Sequence, residues 1–403
     1  MKSVVMIGGG LQQVEAVNEA RKLGFFVIVT DKNKSAPCFV NADMSVVLDG
    51  KDIKGISKFI NKNKKRLNIL GVFTCVNLAP TVAAVAKECT LLGIEPDVAK
   101  LSDNKFEQKE ILTKHGIPTP NFSKAETYKE LKEAYRKLGR KIVIKPLDSF
   151  GGQGVILVKN EIELKKTFKG IKKYSKKRQV IIEEYVEGHF VDLEGIFFQE
   201  KFYPLAIVDS YFLWENPKGN PISPIEYKNV YPTTVNEGMK KKLFLLTEKS
   251  AQALGINFGP VATDMVITKK GPMVIEISAR LHGSSSNLFL IPQASGIKPV
   301  TLLIKIMTGG SISKSETLPK FNKFGIYKYL LSKEGIITGI SGLKEASKFP
   351  DLKKIFLFKK IGDQVRYRNS TDVPASMVVV SNTLNRAEKT IREVGSLIDF
   401  NVS

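Results

Sequence analysis

VATDMVITKKGPMVIEISAR, residues 261–280, decides how the rest of the chain is read. Two apolar runs, 261–267 and 273–277, flank a turn at Lys270 and Gly271, a spacing that predicts a β-hairpin. Asp264 and Glu276 then fall on neighbouring strands. Two carboxylates side by side repel each other unless a cation lies between them. Mg²⁺ takes oxygen ligands and bridges phosphates, so this pair fits a nucleoside triphosphate site. Ser278 and Arg280 share the face of Glu276 through the period of two in a strand. An arginine placed there can stabilise negative charge as it builds up in a transferring group. LHGSSSN, residues 281–287, adds small residues suited to an anionic ligand, and its His282 is either packed or in contact with the reacting groups.

Two further stretches lie upstream. KIVIKP, residues 141–146, reads as a strand with Lys145 on the face opposite Ile144. SFGGQG, residues 149–154, follows, and its Gly151, Gly152 and Gly154 let backbone approach phosphate oxygens without a Cβ clash. The lysine precedes the glycines and no GK[ST] occurs, so this is not a Walker A loop. IIEEYVEG, residues 181–188, is an apolar strand ending in two acids before a turn. Backbone groups there can meet an adenine edge, and a carboxylate can take an exocyclic amine or ribose hydroxyls.

The opening residues MKSVVMIGGG combine a buried-strand run, residues 3–7, with a glycine turn. Gly8 and Gly10 fit the G-x-G-x-x-G dinucleotide fingerprint, but its third position is Gln13. Asp31 lies where a ribose-binding acid would sit. With the fingerprint incomplete, a plain strand-to-helix turn is the stronger reading. Strands at 25–30 and 68–75 alternate with helices over 11–23 and from about residue 80, which implies a parallel sheet with helices on both faces. Ser102 reads as the cap of a helix over 103–115, and residues 214–238, rich in Pro, Asn and Gly, read as a long loop, with 211–238 expected to cover the substrate site.

The chain has 403 residues, 43% of them hydrophobic and 25% charged, which excludes a disordered or collagenous protein. Lys and Arg number 62 against 40 acids, a net charge of +22. Most of the excess sits in lysine runs such as 62–66 and 172–178. These read as solvated faces, and Tyr174 is the one aromatic ring within them, so a nucleic-acid stacking platform is disfavoured. Three cysteines, Cys38, Cys75 and Cys89, with no CxxC argue against a disulfide framework and suggest a reducing cytoplasm. The uncharged stretch 67–86 holds Asn68, Asn77 and Pro80 and reads as strand, loop and helix start rather than a membrane span.

Taken in order, these elements resemble the ATP-grasp superfamily, particularly its carboxylate–amine ligases. The order is lysine helix, lysine strand, glycine hairpin, acidic strand end and acid–turn–ExSxR. The resemblance covers about residues 1–310. It implies a fold of α/β and α+β parts: a Rossmann-like preceding domain (1–100), two ATP-grasp subdomains (101–187 and 188–311) and a small C-terminal α+β cap domain (312–403). It also implies ATP with Mg²⁺ or Mn²⁺, small-molecule carboxylate and amine substrates, and a homodimer. Carried over position by position, Lys105 and Lys145 match the two phosphate-contacting lysines. Ser149, Gly151, Gly152 and Gly154 belong to the flexible glycine loop. Glu183, Glu184, Tyr185 and Val186 match the adenine hinge. Asp264 and Glu276 match the metal acids, and Arg280, with Lys145, the catalytic cations. The chain departs from the family at Ser278, where Asn is usual, and at Asp264, where Glu is common. It departs again at Phe190, where a ribose acid is expected, with Glu187 and Asp192 nearby. Within 321–395, GIITGISGL, IGDQV and MVVVSNTLNRAEKTI resemble the cap of L-amino-acid ligases. The mechanism implied is amide formation through an acyl phosphate. Alternatives are a purine-pathway or biotin-dependent acceptor on the same fold, and a non-catalytic nucleotide-binding protein.

Overall fold

The computed structural model describes residues 1–403 except 140, 148–151, 172–173, 175–178, 216–220, 284–285 and 370–371. The N-terminal strands β1 (Ser3–Ile7), β2 (Phe26–Asp31), β3 (Met44–Val47) and β4 (Ile69–Phe73) form a parallel sheet in the order β3-β2-β1-β4. All five residues of β1 are buried, as expected of a strand covered on both faces. The turn after β1 requires glycine at position 8, where φ is +95° and a Cβ would lie 2.9 Å from Val76 Cγ2. Asp31 holds this turn by accepting the Gly9 N–H at 2.8 Å, which supports the plain-turn reading. The helix expected over 11–23 begins as a 3₁₀ turn at Leu11–Gln13 and continues as α1 (Val14–Lys22). Helices α2 (Ile53–Leu67) and α3 (Ala79–Glu88) cover one face of the sheet through Ile56, Ile60, Val82 and Val85.

Next come α4 (Pro96–Ser102) and α5 (Lys105–Lys114). Asn104 caps α5, accepting from Phe106 N at 3.2 Å and Glu107 N at 3.4 Å. Ser102 therefore does not cap this helix. It ends α4, and its Oγ donates to Ala99 O and accepts from Ala279 N. A second sheet follows: β5 (Phe122–Ala125), α6 (Tyr128–Leu138), β6 (Ile142–Pro146), β7 (Ile156–Val158), α7 (Glu161–Ile171) and β8 (Val180–Glu184), with strand order β5-β8-β6-β7. Ile142, Ile144, Val180 and Ile182 pack under α6 and α7. The alternate residues Val143, Lys145, Ile181 and Glu183 turn to the opposite face.

The largest sheet has eight strands. It begins with β9 (His189–Phe198), β10 (Lys201–Glu215) and β11 (Pro221–Tyr231), then α8 (Glu237–Ala253), β12 (Gly259–Thr268) and β13 (Gly271–Ser278). Helices α9 (Ile291–Ser295) and α10 (Pro299–Met307) precede β14 (Phe324–Leu330), β15 (Gly335–Ser341) and the short α11 (Leu343–Ala346). The chain closes with β16 (Leu352–Leu357), β17 (Gln364–Val365), β18 (Ala375–Ser381), α12 (Leu384–Leu397) and β19 (Asp399–Val402). The eight-stranded order is β13-β12-β9-β10-β11-β14-β18-β16, and β17-β15-β19 form a small separate sheet. Val191, Leu193, Met265 and Val274 pack with Leu243 of α8. This leaves Asp192, Glu194 and Asp264 on the other face.

Two expectations change here. Much of the segment read as a loop is β11, whose Ile225 and Val230 are buried. Pro221 opens that strand and the register with β10 is irregular opposite Pro224, two places where a sheet tolerates proline. The C-terminal region is only partly a body of its own, since β14, β16 and β18 continue the sheet that carries Asp264. Finally, α10 packs through Leu302 and Leu303 into the core shared by Val4, Met6 and Val29, and so covers the free face of the N-terminal sheet.

Strand β13 is an edge, but it is not open. The buried Gln108 of α5 donates to Ile277 O at 2.7 Å and accepts from Ile277 N at 2.9 Å. Val274 N donates to Pro118 O at 2.8 Å, and Thr119 Oγ1 donates to Val274 O at 2.8 Å. Replacing Gln108 by Leu strands both backbone groups of Ile277, so urea unfolding of that variant should show a stability loss of about 2 kcal/mol or more.

Candidate active site

Lysines from two elements converge on one carboxylate. Lys145 Nζ of β6 lies 2.9 Å from Glu183 Oε2 on β8. Lys109 Nζ of α5 lies 3.4 Å from the same oxygen and 2.8 Å from Thr119 Oγ1. All three charged groups are buried. Burial draws the Lys109 ammonium down to about 8, despite the nearby Glu183. Burial also opposes ionisation of Glu183, but Lys109 and Lys145 outweigh it and hold the carboxyl below its usual range. Lys105, one turn before Lys109, places its Nζ 3.5 Å from Glu276 Oε1.

The acids form rows across neighbouring strands. Asp192 of β9 pairs with Asp264 of β12, and Asp264 pairs with Glu276 of β13. One step along, Glu194 pairs with Ala262 and Ala262 with Ser278. His282, just beyond β13, lies over this floor. Its Nε2 is 2.5 Å from Asp264 Oδ1, its Nδ1 bonds Glu194, and its backbone N–H donates to Glu194 at 3.1 Å. Burial opposes the imidazolium, but Glu194 and Asp264 outweigh it and lift its pKa well above the ordinary value. Burial likewise opposes the Asp264 carboxylate, which His282 and Arg280 hold below its usual range. Asp192 is pushed the other way, well above the usual range, by burial and by Glu226.

The hinge residues close the β8 end. Glu184 accepts from Asn121 N and Asn121 Nδ2, both at 3.0 Å, so its carboxylate serves the β5 connection. Tyr185 N donates to Lys141 O, and the ring packs edge-on against Trp214 with Lys141 Nζ 4.2 Å from its centroid. Val186 follows Tyr185 beyond the end of the strand. Phe190, at the place expected of a ribose acid, packs on Phe212 with centroids 5.4 Å apart. Ser149 and Gly151 lie outside the described residues. Gly154 has φ +73°, a Cβ there would sit 2.8 Å from Pro146 Cγ, and its N–H donates to Ser223 Oγ of β11 at 3.1 Å. The glycine turn thus touches the strand that replaces the expected loop.

Among the buried polar atoms with no hydrogen-bond partner within the described residues are the acceptor Glu183 Oε1 and the donor Arg280 Nε. An orphaned acceptor beside the hinge and cations on Lys105 and Lys145 fit an adenine with its phosphates. The Asp264–Glu276 pair fits a divalent cation. Arg280 lines a small cavity with Phe73, Ala79, Val82 and Leu303, at the carboxyl end of β4. Ligands of open α/β sheets bind at such strand ends.

Residues 102–284 match the ATP-grasp domain family. The chain carries an ATP-grasp domain. A second match joins residues 328–403 to the family described as L-amino acid ligase C-terminal domain 2. ATP-grasp ligases use ATP and Mg²⁺ and release ADP in forming a C–N bond, and the chain is an enzyme of that class. Over its whole length it is similar to the L-amino acid ligase from Bacillus licheniformis, with a TM-score of 0.82, 21% identity and coverage of 100% and 99% of the two chains. It is similar also to a phosphoribosylglycinamide synthetase from Anaerococcus prevotii, with a TM-score of 0.76, 21% identity and full coverage of both chains. Among curated proteins, a formate-dependent phosphoribosylglycinamide formyltransferase from Sulfurisphaera tokodaii is 25% identical over 98% of this chain and 96% of its own. Among the described residues of this ATP-grasp chain, no single helix is long and apolar enough to cross a membrane.

Sequence reasoning placed Lys105, Lys145, Glu183, Asp264, Glu276 and Arg280 in what the structure makes one region. It missed Lys109, Gln108, Thr119 and Glu194. Lys109 repeats the i, i+4 spacing from Lys105, which was the available signal. Lys109→Met should raise the KM for ATP about tenfold or more with a smaller change in kcat. Between pH 8 and 10.5 the unfolded chain binds a proton at residue 109 that the folded chain does not. The stability of the wild type relative to Lys109→Met should therefore rise with pH across that window in urea titrations.

Proposed function

We propose that the chain condenses an amino acid or small peptide, through its carboxylate, with an amine, at the expense of ATP. The match of residues 328–403 to the L-amino acid ligase C-terminal domain carries this reading beyond the family level. In the reaction, a carboxylate oxygen of the acid attacks the γ-phosphorus and ADP leaves, giving an acyl phosphate. The amine then attacks the acyl carbon, phosphate leaves, and the ammonium proton passes to solvent or to a nearby base.

Each residue has a role in that sequence. Lys105 and Lys145 hold the phosphates, and Glu183 orients Lys145 while its second oxygen receives the adenine amine. Glu184, Tyr185 and Val186 line the adenine edge with backbone, and the turn at Ser149, Gly151, Gly152 and Gly154 closes over the phosphates and excludes water. Mg²⁺, held by Asp264 and Glu276 with Ser278 on the same face, would neutralise charge on the transferring group. Arg280 meets the acid carboxylate, and the apolar cavity beside it receives part of that substrate. A half-buried arginine whose Nε–H is buried and unpaired among the described residues supports this assignment.

The likeness to a formate-dependent phosphoribosylglycinamide formyltransferase favours a second reading, a purine-type acceptor on the same fold. The two differ in substrate. ADP release should be followed with Mg²⁺ and ATP across single and paired amino acids, and with phosphoribosyl amines plus formate or bicarbonate. Release that needs a particular acid–amine pair and yields phosphate with a condensed product is the expected outcome. Release only with a phosphoribosyl amine would replace the amino-acid reading. Arg280→Met should lower kcat about 10²- to 10³-fold with whichever pair is active.

A further inference from the structure

Three acids gather around His282: Glu194 and Asp264 bond its two ring nitrogens, and Asp192 lies beside Asp264. Asp192 is 8% exposed and Glu194 3%. Lys105, the cation beside the neighbouring acid, is engaged with Glu276 instead. Two buried carboxylates beside one imidazole make a pocket that favours a cation.

The ligand atoms are already gathered. One from each of Asp192, Asp264 and His282 lies within 4.8 Å of the other two. Asp192 and Asp264 are direct cross-strand partners on β9 and β12, so two rigid strands hold the carboxylates. Glu194 fixes the other ring nitrogen of His282, as carboxylates do for metal-binding histidines. Glu276 is not part of this group.

We propose that Asp192, Asp264 and His282 form a divalent-cation site that shares Asp264 with the Asp264–Glu276 pair but does not need Glu276, one that fills without nucleotide and selects Mn²⁺ over Mg²⁺. The cation replaces the direct contact between His282 Nε2 and Asp264. Two carboxylates and one imidazole are a mixed donor set: the oxygens suit Mg²⁺ and Mn²⁺ alike, whereas the imidazole favours the transition metal. The inference stands independently of the ligase reading, since no step of that reaction enters it.

The test is Mn²⁺ alone added to the full chain without ATP, with bound metal counted by electron paramagnetic resonance. One Mn²⁺ per chain is expected, displaced by Mg²⁺ only at more than about tenfold higher concentration. Asp192→Asn and His282→Gln should each weaken binding about tenfold or more, the scale of losing even an outer-shell partner. Glu276→Gln should bind as the wild type does. Circular dichroism checks that each variant is folded, and either of the first two suffices if the other is not. No Mn²⁺ uptake by the wild type without nucleotide overturns the proposal. So does binding that survives both Asp192→Asn and His282→Gln, or that falls equally in Glu276→Gln.

Discussion

One buried oxygen, Glu183 Oε2, holds two lysines that arrive from different parts of the fold. Lys145 comes from the small antiparallel sheet and Lys109 from the helix beside the large one. Removing a single partner from such a buried group leaves an uncompensated charge, which costs far more than the assembled cluster contributes. The cluster therefore acts as a geometric constraint more than as a source of stability. Lys109 also reaches Thr119, which bonds Val274 on β13, so the constraint extends to the strand bearing Glu276. The phosphate-side and metal-side residues are thus set relative to one another by a helix lying between the two sheets.

That helix has a second task. An edge strand with free N–H and C=O groups is prone to pair with another chain. Here Gln108 and the connector at Pro118 and Thr119 occupy those groups with side-chain and loop partners. The strand can end in Ser278 and lead directly to Arg280 and His282 without a neighbouring strand in the way. An open cleft on one side and a satisfied backbone on the other are compatible only because α5 runs alongside.

Much of this was legible in the residues, for identifiable reasons. The hairpin around Gly271 and the opposition of Asp264 and Glu276 followed from period-two spacing over a short local segment, where tertiary context has little to override. The glycine turns at Gly8 and Gly154 were legible because positive φ leaves few alternatives. What was not legible depended on distant partners. Pro221 and Pro224 made β11 look like a loop, because the strand's burial comes from β10 and β14 on either side. The continuation of the large sheet through β14, β18 and β16 is a long-range pairing that no local pattern announces. The surroundings of His282 were hidden for the same reason: Glu194 lies 88 positions earlier, on β9, and no spacing rule connects them.

The cover that α10 lays on the N-terminal sheet has a consequence for synthesis. The first four strands leave the ribosome with one face supplied by α2 and α3, but the helix that completes the other face is encoded at Pro299–Met307. At about 5–20 residues per second, that apolar face stays bare for roughly tens of seconds. During that interval Val4, Met6, Val27 and Val29 have only α1 to shelter them. The nascent chain is in this respect a client for holding factors until its later segments appear. A truncation ending before α10 would keep that exposure permanently.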